Sequence, residues 1–319
     1  MADKYDKKII LLSGLAGVLT LIYAGTLLFD PETVNARKAA YAWLSPKLAD
    51  QADSITLSGS EGTVTLSRKN GVWLVSRNNA EYPAKQLRIG DVLRILTAKG
   101  QYPIRGTSGA SLERFGLTEE TGSRILVRGG GSSYPLLDLL IGKADSTGRE
   151  MYLRRNGENE VRSGEDTLSS YVDGSLTAWL DLRLFPEDLQ AGEVQRVTAY
   201  APPAENETAP PALVLARQDG GWTVTGVLNP DAQKAESYVR ALLEAEGEDF
   251  IDGESLFPSE GSGKILLELG NGRTITVKTG ISGAQNRRTA EVEGVPFRYA
   301  LAEWTATRLF RDAAYFAEK

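Results

Sequence analysis

Residues 68–75 read RKNGVWLV and residues 217–224 read RQDGGWTV. Arginine, glycine, tryptophan and valine stand in the same places, 149 positions apart. Asn70-Gly71 and Asp219-Gly220 are pairs suited to a tight hairpin turn, where both central residues take positive φ. With a two-residue turn, Arg68 faces Trp73 and Leu66 faces Val75, all on one face of the ladder. The phrase therefore reads as a hairpin written twice. Trp73 and Trp222 are expected to anchor a core, with exposed stacking on sugars as the alternative; Gly71 and Gly220 turn the chain; and Arg68 and Arg217 are expected over the rings as snorkelling cations, with an anion site shared by the pair as the alternative.

The elements around the phrase repeat in order. In the first copy a strand at 54–57 precedes the hairpin, and a helix follows Tyr82-Pro83 with Ile89, Val92, Leu93 and Leu96 on one stripe. Strands follow at 123–128 and 134–141. A hairpin at 150–162 turns at Asn156-Gly157, and a helical stretch carries Leu168, Tyr171, Val172, Leu176 and Trp179. In the second copy a strand at 194–200 and a strand at 213–217 lead into the hairpin. Pro230 opens a helix with Ala235, Tyr238, Val239 and Leu242. Strands at 264–269, 273–279, 288–293 and 295–300 precede a last helix with Leu301, Trp304 and Leu309. The offset drifts from 149 at the hairpin to 140 at Ile125/Ile265 and about 133 at Leu168/Leu301. Length changes confined to turns, with element order kept, are the mark of a duplicated module.

Residues 9–29, IILLSGLAGVLTLIYAGTLLF, carry no charge. Roughly 20 such residues suffice to cross a hydrocarbon core of about 30 Å. The stretch is longer than a signal-peptide apolar region and ends in Leu27-Leu28-Phe29, so a retained anchor is expected rather than a cleaved leader. Lys4, Lys7 and Lys8 precede it and Asp30 and Glu32 follow, which puts the N-terminus in the cytoplasm. The expected fold class is α+β: an N-terminal transmembrane helix, then two tandem, pseudo-symmetric modules of mainly antiparallel sheet with one or two helices each. The boundaries are 1–8 cytoplasmic, 9–29 transmembrane, 30–52 stalk, 53–186 first module, 187–192 linker and 193–319 second module. Tyr41 and Trp43 in the stalk suit either a headgroup boundary or the first core contacts of the soluble part.

Composition limits the chemistry. The chain has 319 residues, a net charge of −6, no cysteine and no histidine. With no thiolate and no imidazole, disulfides, Cys nucleophiles, Ser-His-Asp triads and the commonest transition-metal ligands are excluded. No Lys/Arg cluster fits nucleic acid. The GSGK stretch at 261–264 lacks the glycine and hydroxyl residue of a phosphate loop. Asp249, Asp252 and Glu254 around Gly253 form a faint calcium pattern, and the acidic run from Glu244 to Asp249 reads as a solvated face. No catalytic, cofactor or metal residue is assigned, and the chain is expected to be non-enzymatic. Ser13 and Gly17 have the small-xxx-small spacing that packs helices in a membrane, or face lipid. Pro202, Pro203, Pro210 and Pro211 lie in a polar loop present in one copy only, either a partner contact or an exposed insertion.

One charge-free N-terminal segment, two R-x-x-G-x-W-x-V hairpins, YPA at 82–84 and AWLDLRLFP at 178–186 together resemble the bacterial family of domain of unknown function 4340. The second copy departs from it, with Asn229-Pro230-Asp231 in place of YPA and LFRDAAYF at its end. The resemblance implies an accessory subunit of gliding-motility-like ABC transport systems. It would be held in the bacterial inner membrane with its bulk in the periplasm, beside a permease, a second auxiliary subunit and a separate ATPase. The alternative is a free-standing module that binds cell-envelope glycan or peptide.

Overall fold

Ile55 and Leu57 alternate with polar residues on one strand, and Val64 and Leu66 do the same on the next; all four are fully buried. That period of two gives each sheet one core face, and a helix covers it. The structure is a computed structural model describing residues 14–25, 39–172, 175–200, 212–218, 220–251, 263–282 and 287–317. The chain divides into two compact units, Met1–Trp179 and Leu180–Lys319.

The first unit runs β1 (Ala40–Tyr41), β2 (Ala52–Gly59), β3 (Gly62–Lys69), β4 (Val72–Arg77), β5 (Ala80–Pro83), a helix at Gln86–Thr97, β6 (Gly100–Gln101), β7 (Ile104–Gly106), a helix at Gly109–Phe115, β8 (Ser123–Gly129), β9 (Leu137–Ala144), β10 (Glu150–Arg155) and β11 (Val161–Glu165). Nine of these strands form an antiparallel sheet in the order β5-β4-β3-β2-β8-β9-β10-β11-β7. Ile89, Val92 and Leu96 turn the Gln86–Thr97 helix onto its core.

The second unit runs β12 (Val194–Tyr200), β13 (Leu213–Gln218), β14 (Gly221–Val224), a helix at Ala232–Leu243, β15 (Asp249–Ile251), β16 (Gly263–Leu269), β17 (Thr274–Ser282), β18 (Arg287–Val292), β19 (Arg298–Leu301) and a helix at Glu303–Leu309. Its sheet order is β14-β13-β12-β16-β17-β18-β19-β15. Strand for strand this is the order of the first unit, and among the described residues nothing corresponds to the edge strand β5. Ala235, Tyr238, Val239 and Leu242 are the buried stripe of its helix.

Both units fasten their first long helix in the same way. The N–H of Lys85, the helix N-cap, donates to Trp179 O at 2.9 Å, and the N–H of Asp231 donates to Phe316 O at 2.8 Å. Trp179 and Phe316 are completely buried. The counterpart of Trp179 is thus Phe316, and Trp304 stands 60% exposed on its helix.

The segment before β2 belongs to the first unit. Tyr41 pairs with Gly100, and Trp43 is in the core. The Tyr41 ring lies 4.3 Å from the Arg162 guanidinium, and its hydroxyl accepts from Arg155 Nε at 2.8 Å. Arg155 also donates to Trp43 O. Of the two readings for Tyr41 and Trp43, core contact is the one that holds.

Two expectations are overturned. Within 9–29, residues 14–25 are helical, and residues 9–13 and 26–29 lie outside the described residues. Among the described residues no helix is long and apolar enough to cross a membrane. Twelve residues rise only about 18 Å at about 1.5 Å each, against a core of about 30 Å. The transmembrane helix, and the single-pass inner-membrane location drawn from it, are corrected accordingly. The α+β balance is corrected too: among the described residues the architecture is mainly β, in three sheets, with short helices serving as covers. Apolar composition gives a segment the capacity to cross a bilayer; crossing itself needs a helix of sufficient length.

Candidate functional site

The two hairpin–helix corners gather most of the residues singled out in the sequence. In the first unit Asn70 and Gly71 both have positive φ, 52° and 84°, so the turn is the tight kind the sequence asks for. Arg68 then pairs with Trp73 and Leu66 with Val75, in the expected register. Trp73 is 6% exposed and Arg68 is solvent-exposed. The main chain of Trp73 points away from β3, towards the start of the helix. There the Gln86 carboxamide meets it twice: Trp73 N–H donates to Oε1 at 3.0 Å, and Nε2 donates to Trp73 O at 2.9 Å. Nε2 also reaches Ala84 O at 2.7 Å, and Ala84 N–H donates to Trp73 O at 3.2 Å. A side-chain amide thus completes the ladder where β5 ends.

The second unit builds the same corner with different side chains. Gly220 has φ 80°, and Arg217 pairs with Trp222. The Arg217 guanidinium lies 4.5 Å from the centre of the Trp222 ring. Trp222 Nε1 donates to Glu236 Oε2 at 2.9 Å, and Arg217 reaches the same oxygen at 3.2 Å. Arg240 lies 3.7 Å from the other oxygen. The Trp222 indole N–H, with the charges of Arg217 and Arg240, holds the Glu236 carboxyl below its usual range against the opposing effect of partial burial. The Asp231 side chain accepts from Gln233 N at 2.9 Å and Lys234 N at 3.0 Å, capping the helix. Between hairpin and helix lies a cleft of about 440 Å³ lined by Arg217, Trp222, Ala232, Gln233, Glu236 and Arg240 among others.

Among the described residues, only the Arg217 member of the expected arginine pair lies over its tryptophan. Gly17 is on the helix of residues 14–25, with open space where a Cβ would stand. Ser13, Pro202, Pro203, Pro210, Pro211 and Asp219 lie outside the described residues, as do Asp252 and Glu254 of the calcium pattern. Among the described residues no group of three or more acidic side chains is placed to hold a metal. Sequence reasoning missed Gln86 and Glu236. Each lies in the first two turns of its helix, and neither lies on the apolar stripe that periodicity detects.

The family model described as Domain of unknown function (DUF4340) matches residues 60–260. The chain belongs to this family. The DUF4340 match starts at the turn between β2 and β3 and runs past β15, so it takes in both corners. No curated protein and no solved structure matches the chain.

Proposed function

We propose that this DUF4340 protein is a non-enzymatic accessory subunit that scaffolds an ABC transporter-type complex, beside a permease, a second auxiliary subunit and a separate ATPase. The observation that carries the reading is how the fold uses its carboxylates. Asp138, Asp145, Glu236 and Glu303 are all held below their usual range. Asp138 is gripped by Arg124 at 2.7 and 2.6 Å, and Glu303 by Arg288 at 2.5 and 2.8 Å. Asp145 takes the N–H groups of Arg149 and Glu150. Such groups stay ionised and bonded, which suits them to fixing a surface rather than delivering protons. Purification from native cells in mild detergent tests the proposal. Co-recovery of a permease and an ATPase is the expected result, and recovery with neither overturns it.

A second reading, a free-standing glycan- or peptide-binding module, is favoured by one residue. Trp304 is 60% exposed with the Arg308 guanidinium 5.0 Å from its ring centre, whereas Trp73, Trp179 and Trp222 serve the core.

A further inference from the structure

The two corners differ at one spot, and the difference has a chemical meaning. Thr225 N–H donates to Val214 O at 3.0 Å, so 225 and 214 are a hydrogen-bonded pair of the β13–β14 ladder. Pairs alternate along an antiparallel ladder. Trp222 is therefore a non-bonded position whose N–H and C=O face outward, as those of Trp73 do. β14 is the edge of its sheet.

What satisfies Trp73 is missing at Trp222. The residue before the helix N-cap is Ala84 in the first unit, and its N–H bonds Trp73 O; in the second it is Pro230, which has no N–H. The first helical residue is Gln86 in one and Ala232 in the other. From tryptophan to N-cap the chain runs from 73 to 85 in the first unit but only from 222 to 231 in the second, and that shortening is where β5 is lost. Among the described residues the Trp222 N–H and C=O have no hydrogen-bond partner. Both groups face the open edge of the sheet beside the cleft, where a group from outside the chain can reach them.

We propose that this corner of the second unit binds a side-chain carboxamide, glutamine or asparagine, presented by a partner polypeptide. The guest amide does at Trp222 what Gln86 does at Trp73: its oxygen accepts the main-chain N–H and its NH₂ donates to the carbonyl. A whole added strand fits less well. One step along β14, Val227 N–H already donates to Val224 O at 3.1 Å, so the edge is open over a single residue. The cleft beside Trp222 gives the access, since Ala232 leaves the volume that a longer side chain would take. Two arginines and one glutamate, Arg217, Arg240 and Glu236, line it, and the Arg240 side chain is 68% exposed. The rim favours a guest with a carboxylate next to its carboxamide. This inference rests on the comparison of the two corners, independently of the transport-complex reading.

The test uses the full chain and the capped peptide acetyl-Ala-Gln-Asp-amide, with acetyl-Ala-Leu-Asp-amide as the control. NMR of the main-chain amides follows the titration. The expected result is a saturable shift of the Trp222 amide with the glutamine peptide, with a dissociation constant on the order of 10–100 mM for a two-bond contact. The leucine peptide leaves that resonance in place. Ala232→Gln supplies the carboxamide internally and abolishes the shift, while slowing Trp222 amide exchange roughly tenfold. An unshifted Trp222 amide, an equal response to both peptides, or undiminished binding by A232Q overturns the proposal. If A232Q does not fold, the comparison of the two peptides on the native chain still decides.

Discussion

Replacing Gln86 by alanine removes three hydrogen bonds at one point: the acceptor for Trp73 N–H and the donor to Trp73 O and Ala84 O. The Trp73 carbonyl keeps the Ala84 N–H at 3.2 Å, so the main loss is the Trp73 donor. Leaving a buried donor unpaired costs about 1–3 kcal/mol, and each lost carbonyl bond about 0.5–1.5 kcal/mol net. Water entering the vacated space offsets part of this, because the group lies near the edge of the sheet. Gln86 is the first residue of its helix, so helix propensity contributes little. The expected destabilisation of the first unit is about 2–3 kcal/mol. A chain of two compact units need not unfold in one step, so the primary assay is amide hydrogen exchange at Trp73, which reads the local opening. Protection there falls about 30- to 140-fold, since 1.4 kcal/mol is a factor of ten. Gln86→Glu keeps the acceptor but turns a second oxygen towards two carbonyls. It should be as harmful as alanine at neutral pH and recover on acidification. Trp73 exchange unchanged within about twofold in Q86A, with a stability change under about 0.5 kcal/mol, refutes the clamp and with it the comparison on which the Trp222 site is built.

Gly164 packs its Cα against the Tyr102 ring, and a Cβ there would stand 2.4 Å from two ring carbons. Gly164→Ala should cost at least about 2 kcal/mol in denaturant unfolding, and a cost near zero would show that the ring moves freely. The Asp145 carboxyl is pulled down to about 2, first by the Glu150 N–H and then by the Thr147 hydroxyl and further main-chain donors. Its folded pKa is depressed, so its contribution is present above its ordinary value and is lost as pH falls from about 4 to about 2. A carboxyl-carbon NMR titration with a midpoint near the ordinary aspartate value would contradict this. Arg155→Ala removes the bonds to the Tyr41 hydroxyl and the Trp43 carbonyl. Proteolytic cleavage within 39–45 should accelerate by about tenfold or more while cleavage in the second unit does not change, and equal rates would mean that β1 and the buried Trp43 hold the segment unaided.

Much of the strand pattern could be read from residues alone, because alternation and turn pairs are local. Asn70-Gly71 fixed a register that came out pair for pair, and Asn156-Gly157 and Asn271-Gly272 also sit at strand ends with positive φ at their glycines. The strands that escaped notice were short edge pieces. β1, β5, β6, β7 and β15 have two to four residues each, too few for periodicity to show, and they form because a neighbouring strand offers an unpaired ladder. That Phe316 is the counterpart of Trp179 could not be read from the residues either, because the carbonyl that fastens the second unit's helix lies beyond the last helix and outside any periodic stretch. The apolar run at 9–29 misled in the opposite sense: its composition is that of a spanning segment, but the helix described within it is twelve residues long.

What the sequence by itself determined is the hairpin, its duplication and the faces of the strands. These depend on residues a few positions apart, where turn stereochemistry and side-chain alternation act directly. Only the tertiary structure decided which of the two corners is chemically complete. RKNGVWLV and RQDGGWTV place the same tryptophan in the same pairing, yet the partners of its main chain come from residues 84 and 86 in one unit and are lacking at 230 and 232 in the other. An outward-facing N–H and C=O carry no mark in the sequence. Whether they are met depends on where the following helix begins, which is settled when helix and sheet pack together.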